Sequence, residues 1–179
     1  TGILDPVQVD GSYDGTPANF VADGGKSAQQ GFATSEPYFY ENVLTDWGKP
    51  VAYQTIHDAG WTSYAQTLAG KPETIVSGAD CLKLLVPIIQ QAQVDYVADP
   101  STTNALILDL VAQYNNGWMY DAGQADAAVA LALKNGLIAN SPDGTLGSFD
   151  SQRMDDFLAL AIPIFEGLGE KLKPGLTSA

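Results

Sequence analysis

The sequence predicts an α/β fold from three features that follow one another along the chain. AQQGFAT at 28–34 has the pattern of a short buried strand, and a helical pattern follows it directly. Residues 51–57 and 63–69 are rich in Tyr, Thr, Val, Ile and Leu and are bounded by glycine, as strands are. After Lys71 almost the whole chain has helical periodicity. A strand followed by a helix is the building unit of a layered α/β domain.

The first helix is predicted from about Glu36 to Val43. Ser35 is a suitable N-cap, and Pro37 is tolerated in the first turn, where its missing N–H has no intrahelical partner in any case. Upstream, the weak apolar pattern of TPANFVADG also predicts a short helix.

The remaining helices are predicted from periodicity and from their end signals. The first begins at Pro72, is expected to kink at Pro87, and has apolar positions at Leu82, Leu85, Val86, Ile89 and Ala92. Three more are expected, over 101–115, over 122–135 and from Asp150 or Ser151 to about Gly167. Three strands in the first 70 residues cannot complete a sheet, so the sequence predicts the second half of a split α/β protein.

The charge balance excludes some partners. Twenty-one acidic residues against eight basic ones give a formal net charge of -13. Nucleic-acid binding requires a basic surface, and anionic membranes repel such a chain. No apolar stretch is long enough to span a bilayer, so any membrane attachment is expected through an anchor outside this chain.

Catalytic and metal chemistry have little support in the sequence. Cys81 is the one cysteine and His57 the one histidine, so neither a disulfide nor a zinc cluster can form within the chain. Cys81 is expected to be a packed, inert thiol on the buried side of a helix. Asp10 and Asp14 lack the other oxygen ligands of a calcium loop. We therefore expect no enzyme activity, no metal and no cofactor.

GFATSEPYFYE is the segment most suggestive of binding. Ser35 and the helix start offer a hydroxyl and N–H donors, Glu36 can accept from an amino group, and Tyr38 can stack on a ring. The alternative is a capped helix with its aromatic residues partly in the core. Trp61 and Tyr64 could form a second wall for a flat ligand, although core packing explains them slightly better.

The pattern QQGFATSEPYFYE, with WTSYAQTLAGKPETI further along, resembles the NMT1/THI5-like solute-binding proteins over roughly residues 17–165. The resemblance implies a type 2 periplasmic-binding fold, a three-layer sandwich that is incomplete here because its N-terminal half is absent. Residues 1–48 would end the second lobe, and residues 49–179 would form the C-terminal part of the first lobe with its covering helices. Ser35, Glu36 and Tyr38 would face Trp61 and Tyr64 across the cleft.

The function implied by this resemblance is the capture of a small molecule for an ABC importer. The expected partners are that ligand and a permease, and the expected location is periplasmic or extracellular, anchored to the membrane. Glu36, in a stretch without Arg or Lys, favours an amino-bearing heterocycle such as a thiamine-precursor pyrimidine over an oxyanion. The alternatives are a pyrimidine-synthesis enzyme of the same family and the ligand-sensing domain of a transcription regulator.

Overall fold

A computed structural model describes residues 9, 11 and 15–177, so Asp10 and Asp14, the two acids weighed above for a calcium loop, lie outside the described residues. Roughly half of the described residues are helical. The helices are α1 (Ala18–Ala22), α2 (Glu36–Tyr38, continued by a π-helical turn over Phe39–Val43), α3 (Pro72–Ser77), α4 (Ala79–Ala98), α5 (Ser101–Tyr114), α6 (Ala122–Lys134) and α7 (Ser151–Gly167).

The predicted α/β fold is wrong. Segments 28–34, 51–57 and 63–69 are irregular loops and turns, and the described residues contain no sheet. In the described part of the chain, β-pairing is limited to one isolated antiparallel bridge, between Asn140 and Leu146. Strand propensity specifies a strand only where a neighbouring strand supplies hydrogen-bond partners and a face to pack on. The type 2 three-layer sandwich is therefore not the architecture of this protein, while the division at residues 48 and 49 stays a prediction.

Most helix predictions are confirmed because their signals are local, whereas the helix predicted to begin at Pro72 is broken at Gly78 into α3 and α4. The predicted 36–43 helix matches α2 with its π-helical turn, and the predicted 122–135 helix matches α6 within a residue. The Asp121 carboxylate caps α6 by accepting from Gln124 N–H at 2.7 Å. The Asp150 carboxylate caps α7 by accepting from the N–H groups of Gln152 and Arg153.

The small core is centred on α6. Ala125, Val129 and Ala132 are buried, at positions four and three residues apart along one face of the helix. α5 lies against α6, and Asn104 of α5 is buried while its side-chain oxygen accepts from the Tyr96 hydroxyl of α4. Gln90 of α4 also donates to the main-chain oxygen of Leu146. These contacts join α4, α5, α6 and the 140–148 turn into one body.

Large apolar surfaces remain exposed outside this core. The accessible area of the protein is 13243 Å², against about 8,300 Å² for a compact monomer of this mass. On α4, Leu84 and Ile88 are 71% and 65% exposed, and Cys81 on the same side is exposed as well. The expectation of a packed Cys81 is therefore wrong, because periodicity identifies an apolar face but not what covers it.

Candidate ligand-binding site

A surface pocket of about 300 Å³ lies beside α2 and its π-helical turn, at the lower end of the volumes typical of small-molecule sites. Three parts of the protein form it: α2 with its π-helical turn, the loop at 50–53, and the outer face of α6. Its lining residues are Pro37, Tyr38, Glu41, Asn42, Pro50, Val51, Tyr53, Ala127 and Leu131.

The local sequence builds the α2 wall of this pocket. The Glu36 carboxylate accepts a hydrogen bond from Phe32 N–H at 2.6 Å, which closes the turn before the helix. The main-chain N–H of Leu44 then bonds to the Phe39 oxygen, five residues back, and this spacing defines the π-helical turn. Tyr38 and the residue three positions later, Glu41, lie on the same side of this helical segment, and both line the pocket.

Two contacts hold α2 against the start of α6. The Gln124 side chain, which is buried, donates to the Ser35 hydroxyl at 2.9 Å. The Tyr38 hydroxyl lies so close to Gly123 that a Cβ atom there would overlap it. Glycine at position 123 thus permits the close approach of the Tyr38 ring to the helix. Because Tyr38 also lines the pocket, the packing at Gly123 sets the position of one pocket wall.

The chemistry of the pocket is acidic and aromatic. Glu41 is the one charged side chain among the lining residues, and it is exposed to solvent. Tyr38 and Tyr53 contribute two phenol rings, and Pro37 and Pro50 add apolar surface. The Asn42 side-chain nitrogen donates to the main-chain oxygen of Tyr38 at 3.1 Å, which leaves its side-chain oxygen as an acceptor. Such a set favours a ligand with an aromatic or aliphatic body and an amino or cationic group.

Trp61 and Tyr64 belong to a second cluster, at the start of α7. The Trp61 ring packs edge-on against Phe157, with ring centroids 4.9 Å apart. The Tyr64 hydroxyl accepts from Asp150 N–H at 2.9 Å, and the Arg153 guanidinium lies 4.0 Å from the centre of the Tyr64 ring. Arg153 also donates to the main-chain oxygens of Thr62 and Ser63. These contacts give both aromatic residues a structural role in fastening the loop to α7.

The five residues predicted to bind ligand thus fall into two groups. Ser35, Glu36 and Tyr38 lie along the α2–α6 contact, and in the described part of the protein no hydrogen bond or ring contact joins them to Trp61 or Tyr64. Of the five, Tyr38 lines the pocket.

Sequence reasoning missed Glu41, Asn42 and Tyr53. Helical periodicity could have indicated Glu41 and Asn42, since they follow Tyr38 by three and four residues and so share its helix face. Nothing in the sequence places Tyr53 beside α2, because that contact arises from the path of an irregular loop.

Two other side chains that could take part in acid–base chemistry, His57 and Asp58, are exposed to solvent. The His57 imidazole lies 3.7 Å from the Asp58 carboxylate, with both side chains more than half exposed. The pKa of Asp58 is lowered, first by a side-chain hydrogen bond with Thr55 and next by His57. Within residues 9, 11 and 15–177, no three of the His, Cys, Asp and Glu side chains are grouped as metal ligands would be.

Comparison with models of protein families, with curated proteins and with solved structures finds no significant match to this sequence. Among the described residues no helix is both long enough and apolar enough to cross a membrane.

Proposed function

We propose that this protein captures a small solute that carries an amino group, as the extracytoplasmic binding component of an ABC importer. The observation that carries the proposal is the pocket beside α2, in which Glu41 is the one charged lining residue and Tyr38 and Tyr53 supply aromatic surface. A lone carboxylate among phenol and proline rings stabilises an amine and repels an anion.

The ligand class is supported by charge as well as by shape. The lining residues include no Lys or Arg, whereas oxyanion sites are built from such donors. The net charge of -13 adds a negative field that attracts cations and disfavours nitrate or sulfonates. A volume of about 300 Å³ suits a single ring with short substituents.

The transport role is supported by the resemblance of QQGFATSEPYFYE to solute-binding proteins, since this segment supplies Pro37, Tyr38 and Glu41 to the pocket. A permease as partner and a location outside the cytoplasm, with a membrane anchor, belong to the same proposal. Binding without turnover is the expected behaviour, because the lining residues place no Ser, Thr, Cys, Lys or His beside Glu41.

A thermal-shift experiment tests the ligand class. The probes are an aminopyrimidine, the same pyrimidine ring without its amino group, nitrate and an alkanesulfonate. A ligand that binds only the folded protein raises the midpoint temperature of unfolding. The increase grows with the logarithm of the ligand concentration once that concentration exceeds Kd. We expect the aminopyrimidine alone to stabilise the protein. Equal stabilisation by the ring without the amino group, or stabilisation by nitrate or the sulfonate, contradicts the assignment of Glu41 as the recognition group.

A further inference from the structure

Two Asn-Gly steps follow helix ends in this protein, and the structure gives their glycine nitrogens different environments. Asn116-Gly117 follows α5, and Asn135-Gly136 follows α6. All four residues are exposed to solvent. In an Asn-Gly step the glycine main-chain nitrogen can attack the asparagine side-chain amide with little steric hindrance, because glycine has no Cβ.

The geometry at Asn116 favours this attack. Its side-chain oxygen accepts a hydrogen bond from Trp118 N–H at 3.2 Å, which folds the amide back over its own backbone and polarises the Cγ–O bond. Gly117 has a φ of 88°, and even a Cβ atom at this position would meet nothing within 4 Å. In the described part of the protein the Gly117 N–H has no hydrogen-bond acceptor, so its nitrogen is available.

The geometry at Asn135 opposes the same attack. Gly136 N–H donates to the main-chain oxygen of Leu133 at 3.2 Å, and Asn135 N–H donates to the main-chain oxygen of Leu131 at 2.9 Å. Asn135 has φ and ψ of -91° and 3°, in the bridge region next to the helical one. The attacking nitrogen is therefore held in the last turn of α6, and the step must unwind before the ring can close.

We propose that Asn116 is a site of spontaneous deamidation in the folded protein and that Asn135 is protected. The Gly117 nitrogen loses its proton to water or hydroxide and attacks Cγ of Asn116. A new bond forms between that nitrogen and Cγ, and the bond between Cγ and Nδ2 of the asparagine amide breaks. The released nitrogen takes a proton from water and leaves as ammonia. The resulting succinimide adds one water molecule at either carbonyl, which gives aspartate or isoaspartate.

The product alters the segment between α5 and α6. Either product adds one negative charge at the C-terminal end of α5, where the helix dipole disfavours it. Isoaspartate also lengthens the backbone by one carbon just before Trp118 and Tyr120, whose rings stack with centroids 5.2 Å apart. Because of the added negative charge, the deamidated protein can be separated from the original by anion exchange.

The experiment is incubation of the whole protein at mildly alkaline pH and body temperature, followed by peptide mapping with mass spectrometry. We expect deamidation at Asn116 to be at least about fivefold faster than at Asn135, the factor that one hydrogen bond of typical net strength confers. The same incubation in concentrated urea is expected to bring the two rates together, because both helix ends are then lost.

Two variants act as controls. Asn116→Gln retains a neutral amide and is expected to remove the early acidic form, whereas Asn135→Gln leaves that form unchanged. Equal rates at the two steps in the folded protein overturn the proposal. A difference that persists undiminished in urea also overturns it, because sequence and not structure would then set the rates.

Discussion

The Tyr64 hydroxyl accepts a hydrogen bond from the main-chain N–H of Asp150 at 2.9 Å. The same Asp150 caps α7 through its carboxylate, and Arg153 one turn later lies over the Tyr64 ring. A loop residue is thus fixed to the start of a helix 86 positions away in the sequence. The Tyr64 ring packs against Phe149 and Arg153, and the Trp61 ring packs against Phe157 of α7. Neither Tyr64 nor Trp61 lines the pocket beside α2.

Tyr64→Phe is predicted to destabilise the protein. The change removes the hydroxyl and leaves Asp150 N–H, a part-buried donor, without its partner, at a cost of about 1 kcal/mol. Chemical denaturation with detection by circular dichroism measures the difference. Tyr114→Phe is the matched control, since Tyr114 is 73% exposed and its substitution is expected to have almost no effect. Equal stabilities of the two variants would show that the Tyr64 contact contributes nothing.

Gly123→Ala is predicted to destabilise the protein by about 1–3 kcal/mol, because the new methyl group overlaps the Tyr38 hydroxyl and forces α2 away from α6. The double variant Gly123→Ala with Tyr38→Phe should recover part of the loss, as two residues in direct contact do not act independently. Differential scanning calorimetry gives the three values.

Gly167→Ala serves as the control for this prediction. Gly167 ends α7, and a Cβ atom there meets nothing within 4 Å. In open space alanine favours the helix over glycine by up to about 1 kcal/mol, so this variant should be neutral or more stable. Two alanine variants with the same effect would be inconsistent with a specific clash at Tyr38.

Stability is predicted to fall in acid partly through Asp143. The pKa of its carboxyl is lowered below the ordinary value of 3.8, first by the hydrogen bond from Thr145 N–H and next by that from the Ser148 hydroxyl. A carboxyl with a lower pKa in the folded state contributes stability above its unfolded pKa and loses it as the pH falls through the folded value.

Asp143→Asn should therefore unfold at a lower temperature than the parent near neutral pH, and this difference should shrink as the pH falls below 3.8. Thermal unfolding over a pH series measures it. Asp46→Asn, at an exposed carboxylate outside this turn, is the control. A difference between Asp143→Asn and the parent that stays constant across the series would contradict the linkage.

The ends of α6 and α7 could be predicted from the sequence because these helices carry local start and stop signals. Asp150 precedes α7 and accepts from two of its free N–H groups, and Gly136, with a φ of 64°, follows α6. The strand predictions are wrong because composition does not supply a partner. Residues 51–57 have the composition of a strand but no partner strand among the described residues.

The candidate site was predictable only in part. An aromatic residue at a helix start suits ligand contact, which predicts a role for Tyr38, and Tyr38 lines the pocket. The charge of Glu36 predicts a ligand contact, yet one of its oxygens accepts from Phe32 N–H, and the carboxylate at the pocket is that of Glu41. Which of two nearby acids faces a pocket depends on the π-helical turn over Phe39–Val43, and residue composition does not specify that turn.

The most direct test of the proposed binding function is a calorimetric titration of an aminopyrimidine into the parent protein and into Glu41→Gln. The variant keeps the size of the side chain and removes its charge, so we expect at least about tenfold weaker binding, corresponding to the loss of a charge-assisted hydrogen bond. Glu73→Gln, at an exposed carboxylate of α3 outside the pocket, should bind as the parent does. Unchanged affinity in Glu41→Gln, or no binding heat with the parent, would contradict solute capture at this pocket.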